Sequence, residues 1–149
     1  MISFYLTLAF AATVAKAYNA CHFGLVAHGR HSGPVGQLRD GQLRLGGYYP
    51  QASFTIQDGG VTDDLGRGCI LTPEIQQYQC DAGVKAAGGF AIEENGVLSH
   101  NGNQEFYACP ASETEYNVYT VPVAGQLKCV SVTLAADNCY APSKPKYGY

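Results

Sequence analysis

The chain has 149 residues, 46% of them hydrophobic and 14% charged, with 9 Lys and Arg against 12 Asp and Glu. That length holds one domain, and an acidic balance with scattered cations argues against nucleic-acid binding through phosphate neutralisation. Uncharged carbohydrate makes no such demand on a surface.

In chain order, Ile2 to Val14 form an apolar run interrupted only by Ser3, Thr7 and Thr13. It ends in Ala15-Lys16-Ala17, a small-x-small site of the kind signal peptidase cuts. Residues 1–17 are expected to be a signal peptide and the mature chain to start at Tyr18. The run is short for a membrane span, and no membrane partner is expected. Loss of Lys16 leaves 8 cations against 12 anions, a formal −4.

The mature chain then reads as short strands between turns. Strand composition and alternation appear at Phe23–Val26, Leu43–Leu45, Phe54–Ile56 and Phe90–Ile92. Two longer runs follow, Tyr116–Val121 and Val130–Leu134. Thr72-Pro73-Glu74-Ile75 carries a helix start, with Thr as N-cap and Pro at the first position, and predicts a turn or two of helix. The pattern as a whole predicts an all-β fold.

An internal echo sharpens that reading. Phe54-Thr55-Ile56-Gln57 followed by Gly60-Val61 recurs, 36 residues on, as Phe90-Ala91-Ile92-Glu93 followed by Gly96-Val97. Each copy predicts a β-hairpin. Leu38-Arg39-Asp40-Gly41-Gln42-Leu43 is a third, off-period relative. Hairpins repeated in this way favour a β-trefoil, with a Greek-key β-sandwich as the alternative. One domain is expected over 18–140, followed by a flexible tail over 141–149 that has no hydrophobic segment for a lipid anchor.

Six cysteines (Cys21, Cys69, Cys80, Cys109, Cys129 and Cys139) all lie in the mature part. An even count in an exported chain favours three disulfides, for which sequence leaves fifteen connectivities open. The pairing we adopt as an expectation is Cys21–Cys139, Cys69–Cys80 and Cys109–Cys129. No two cysteines have the close spacing of a zinc ribbon, so no metal and no cofactor are expected.

Catalytic signatures are scarce. The sequence has no Gly-x-Ser-x-Gly elbow and no Gly-rich loop opening a helix. His28-Gly29-Arg30-His31 reads as an exposed turn with two histidines. Asp63-Asp64 and Glu93-Glu94 are adjacent pairs whose side chains would face opposite sides of a strand, and they are expected to be solvated hairpin charge. The chain is not expected to be an enzyme. Tyr48, Tyr49, Tyr107, Tyr116 and Tyr119 offer flat faces and hydroxyls that suit sugar stacking, although tyrosine also packs well in strands.

The segment from Phe54 to Cys139 resembles the C-terminal domain of fungal Pir proteins, the cell-wall mannoproteins with internal repeats. The resemblance lies in Gly60-Val61-Thr62-Asp63-Asp64-Leu65-Gly66-Arg67-Gly68 and in Gly89-Phe90-Ala91-Ile92 to Gly96-Val97-Leu98. It continues through Phe106-Tyr107-Ala108-Cys109, Tyr116-Asn117-Val118-Tyr119, Cys129-Val130 and Cys139. Phe23-Gly24-Leu25-Val26-Ala27, with Ser32-Gly33, is similar to small wall proteins of filamentous fungi related to the phialide wall protein.

This resemblance implies a secreted, non-enzymatic structural protein of the cell wall, held by β-glucan or by other wall proteins. Pir proteins also carry an array of short repeats whose glutamine is esterified to β-1,3-glucan. This sequence shows no array, only one similar stretch, Gln37-Leu38-Arg39-Asp40-Gly41-Gln42-Leu43-Arg44, with Leu for the usual branched residue at two places. The resemblance makes Gln37 and Gln42 the candidates for glucan attachment, and the residue-level reading makes the same stretch one more hairpin. Cys69 and Cys80 depart from the family's four-cysteine frame. The rival classes are a secreted lectin-like module or effector recognising a glycan or host protein, and a protease inhibitor baiting with Gly66-Arg67-Gly68-Cys69.

Overall fold

The structure is a computed structural model and describes residues 21–139. The expected signal peptide, its cleavage site and the tail over 141–149 lie outside the described residues. Those described form strands and turns and contain no helix.

The first strands in chain order are β1 (His22–Phe23), β2 (Leu25–Gly29), β3 (Gly33–Pro34), β4 (Gly36–Gln37) and β5 (Leu43–Arg44). Next come β6 (Phe54–Gln57), β7 (Gly60–Asp63), β8 (Gly68–Leu71), β9 (Tyr78–Asp81) and β10 (Phe90–Ile92). The last are β11 (Leu98–His100), β12 (Phe106–Pro110), β13 (Tyr116–Tyr119) and β14 (Val130–Ala136). One five-stranded sheet runs β1-β6-β7-β8-β9, and another runs β13-β12-β14-β2-β3. The pairs β4-β5 and β10-β11 complete the all-β fold.

Alternation decides which faces close on the core. Along β14, Val132, Leu134 and Ala136 are buried. The antiparallel register sets Leu134 opposite Ala27 and Ala136 opposite Leu25, both fully buried. A one-residue slip would turn this set to solvent, so the pattern fixes the register. Aromatic rings fill the centre. Phe23 lies 5.7 Å from Phe54, and Tyr78 stacks on Phe90 at 5.0 Å and meets Phe106 at 6.4 Å.

The hairpins of the internal echo form, but with different turns. Asp58-Gly59 closes β6–β7 as a two-residue loop, both residues at positive φ, as the twist of a hairpin prefers. The β10–β11 hairpin uses a three-residue loop in which Glu93 N–H donates to Val97 O and Gly96 N–H donates to Glu93 O. Val61 therefore faces Ile56 and is buried, whereas Ile92 pairs with Leu98 and Val97 bridges to Ala135. The third relative has the same loop as the second. Leu38 N–H donates to Gln42 O and Gly41 N–H to Leu38 O, and in both an Asx side chain accepts from the residue two positions on.

Two expectations are corrected here. The Thr72-Pro73 start gives only a turn, with Glu74 and Gln76 at positive φ, because the chain must reverse within a few residues to pair β9 with β8. Asp63 is not solvated hairpin charge. It is 3% exposed and accepts hydrogen bonds from four donors, as described below.

Disulfides join Cys21 to Cys139, Cys69 to Cys80 and Cys109 to Cys129. Cys69 and Cys80 stand directly opposite each other on β8 and β9. Cys21–Cys139 closes a loop of 118 residues and ties the two ends of the described chain together.

Candidate functional site

The most heavily built polar cluster begins at the β4–β5 hairpin. Gln37 is half-buried on β4, and its amide donates to Asp63 Oδ2 at 3.0 Å and to Gly41 O at 3.3 Å. Asp63 sits at the end of β7, where the Asp64-Leu65-Gly66 turn swings Arg67 back over it. Its Oδ1 accepts from the backbone N–H of Leu65 and Arg67. Arg67 Nε donates to its Oδ2 at 2.6 Å, and Arg67 Nη1 donates to Arg39 O at 2.7 Å. A buried carboxylate with this many donors is satisfied and rigid. Arg67 is thereby folded inward, which removes the side chain an inhibitor loop would need to present.

Gln42 is held differently. Its amide donates to Asp40 Oδ2 at 2.9 Å, and its carbonyl accepts from Gln77 Nε2 at 3.3 Å. The backbone N–H of Gln42, then its side-chain amide and the nearby Arg44 and Arg67 charges, hold the Asp40 carboxyl below its ordinary 3.8. Both candidate glutamines thus have their amide nitrogens engaged within the chain.

The five singled-out tyrosines separate. Tyr119 is 4% exposed on β13 and its hydroxyl accepts from Asn117 Nδ2, so it offers no ring face to a sugar; burial inside the sheet overrides that expectation. Tyr116 is half-buried, and His31 covers one of its faces at 3.8 Å. Tyr107 is half-buried on β12, opposite Tyr119 and Ser131. Burial and the adjacent Glu105 raise its phenol pKa. Tyr48 and Tyr49 alone share a loop, between β5 and β6, with Tyr48 fully exposed and Tyr49 36% exposed.

That loop is built around glycine. A methyl at Gly36 would come within 2.8 Å of Tyr49 Cβ, and one at Gly47 within 2.5 Å of its ring and 2.8 Å of Glu115 Oε1. Glycine at both places lets the ring lie down on the backbone. The Glu115 carboxylate beside the ring holds the Tyr49 phenol above its ordinary pKa. Open cavities flank Tyr49 on both sides, one of about 580 Å³ towards Arg39, Asp64 and Leu65, the other of about 700 Å³ towards Pro34 and Thr114. Sequence reasoning named the two tyrosines but not Gly36, Glu115 or the cavities. Gly46-Gly47 directly before the rings was the available signal of a tight aromatic turn.

Among the described residues, no group of three or more His, Cys, Asp or Glu could hold a metal ion, and no helix is long and apolar enough to cross a membrane. His28 is exposed and His31 lies against Tyr116.

These features define a disulfide-stapled β domain with a paired aromatic loop on its surface. Residues 59–132 match the family model described as "Cell wall mannoprotein PIR1-like, C-terminal domain", and the chain is Pir-like over that stretch. It is 38% identical over 94 residues to the cell wall protein PIR5 of Saccharomyces cerevisiae strain YJM789, covering 58% of this chain and 32% of the relative. The PIR5 proteins of strains RM11-1a and AWRI1631 match equally. The chain therefore spans about a third of the length of these relatives. No solved structure matches it.

The family match begins at the β6–β7 turn, yet the fold does not. Strand β2, ahead of the matched residues, lies between β14 and β3, and β1 pairs with β6. The Tyr48–Tyr49 loop also lies ahead of the matched residues.

Proposed function

We propose that the protein is a secreted, non-catalytic structural component of the fungal cell wall, held there by contacts with β-glucan or with other wall proteins. The observation that carries this reading is the match of residues 59–132 to a cell-wall mannoprotein domain, supported by identity to proteins named for the wall. A domain closed by three disulfides suits the oxidising exterior of a cell.

Sequential extraction of the native wall tests it. Walls are treated with hot detergent, then reductant, then mild alkali, and the chain is followed by mass spectrometry. Recovery in any wall fraction supports the reading. Release by alkali alone, with a modified Gln37 or Gln42 peptide, would establish an ester to wall glucan. Recovery almost wholly from the medium would sink the structural role and leave a secreted binding module, a reading favoured by the exposure of Tyr48.

A further inference from the structure

We propose that the groove running either side of Tyr49 is a binding site for a neutral glucan chain, with Tyr48 and Tyr49 stacking on its sugar rings. The choice of glucan among neutral polysaccharides rests on the wall reading. The site itself rests on four observations.

The first is exposure. Tyr48 presents its whole ring to solvent and adjoins a second exposed ring, with Leu65, 73% exposed, lining the cavity on the far side of Tyr49. Exposed rings and an exposed leucine set around one loop are the apolar surface that stacking on a sugar would use.

The second is backbone strain. Tyr48 has φ 58°, in the left-handed region that a bulky aromatic residue rarely enters. Such strain persists where the surrounding structure enforces it, and it gathers at ligand sites. The turn throws the Tyr48 ring outward while its neighbour lies flat on Gly36 and Gly47.

The third is shape. The two cavities lie on either side of Tyr49, the residue they share, and both are open to solvent. Each lies within the volume range of small-ligand pockets. Two open cavities flanking one ring admit the interior of a polymer laid across it, where a closed pocket would take only its end.

The fourth is charge. The cavity towards Thr114 is lined by Ser32, Pro34, glycines and the two tyrosines, and the Glu115 carboxylate stands at its edge beside Gly47 and the Tyr49 ring. In the other, Arg39 stands with Asp64, and the charge of Arg67 is met by Asp63. Mixed signs on one side and a single carboxylate at the edge of the other give no cationic field to draw an anionic polymer, while the hydroxyl of Thr114 and the amide carbonyl of Gln37 suit the hydroxyls of a neutral sugar.

The chain has no tryptophan and 11 tyrosines, whose summed emission would not single out this loop, so binding is read by calorimetry. The protein, purified from cells expressing the full chain, is titrated with a β-1,3-gluco-oligosaccharide, with a chito-oligosaccharide of equal length alongside. A saturable change is expected with the glucan, weakened about tenfold or more in Tyr48→Ala and kept within about twofold in Tyr48→Phe. Tyr48 is fully exposed and no buried contact depends on its ring, so Tyr48→Ala keeps the fold. Equal binding by wild type and Tyr48→Ala would overturn the site, and chito-oligosaccharide binding as tight as glucan would overturn the choice of polymer. Absence of glycan binding in a chain recovered from the wall would sink the groove and leave the wall role standing. Glucan binding by a chain found only in the medium would do the reverse.

Discussion

Arg67 Nε and Asp63 Oδ2 meet at 2.6 Å, four residues apart, across a turn whose own backbone N–H groups point into the same carboxylate. The carboxylate side chain is fully buried and the guanidinium 12% exposed. Truncating Asp63 leaves a largely buried cation, the Gln37 amide and two backbone donors short of their acceptor. Asp63→Ala is expected to cost about 3 kcal/mol or more, read as a lower denaturant midpoint. Asp63→Asn should cost less, because it keeps an acceptor oxygen. An Asp63→Ala midpoint within error of wild type would contradict the role assigned to this carboxylate.

Asp40 gives the β4–β5 hairpin a dependence on acid. Its folded pKa lies below the ordinary 3.8, first because Gln42 N–H donates to it. The stabilisation is therefore present above the unfolded value and disappears as pH falls through the folded one. Hydrogen exchange at Gln42 should quicken as pH drops below about 4, after correction for intrinsic rates. In Asp40→Asn, which retains the turn acceptor but not the charge, that extra acid sensitivity should vanish.

The three disulfides differ in what they restrain. Cys21–Cys139 spans 118 residues, whereas Cys69–Cys80 and Cys109–Cys129 span 11 and 20. In the chain-entropy account the long loop contributes about 4–5 kcal/mol and the short ones about 3 each. Pairwise Cys→Ser variants should therefore lose most stability at Cys21/Cys139. Full reduction should raise the intact mass by two hydrogens per bridge, and a smaller rise would show a bridge missing.

Tyr48 should display a trade between stability and binding. Tyr48→Asn places a residue tolerant of positive φ at this position and is expected to stabilise the fold by about 1 kcal/mol. The same change removes the outer ring of the groove. A thermal melt and a glucan titration on one sample would show the two effects moving in opposite directions.

Much of the fold was legible because its strands alternate. Phe54–Ile56, Phe90–Ile92 and Val130–Leu134 all lie within strands, and both copies of the echo are hairpins. The echo misled in detail, since Gly60 and Gly96 match by letter while Gly59 and Gly96 supply the positive φ of their turns. Burial of Asp63 was hidden for a related reason. Its partner Arg67 lies near in sequence, but only the register of a three-residue turn decides whether the two meet. The tyrosines were visible as residue types, and their sorting into core and surface depended on how the sheets close. Tyr119 enters the core beside Val118, while Tyr48 is expelled by the turn after Gly46-Gly47.

The Cys21–Cys139 bond has a mechanical meaning. Asp137 and Gly24 exchange hydrogen bonds beside it, and Asn138 Nδ2 donates to His22 O, so both ends of the domain are fastened at one point. Gln37, Gln42 and the Tyr48–Tyr49 loop all lie inside the loop that this link closes, so a pull at any of them is shared by a domain whose two ends cannot part.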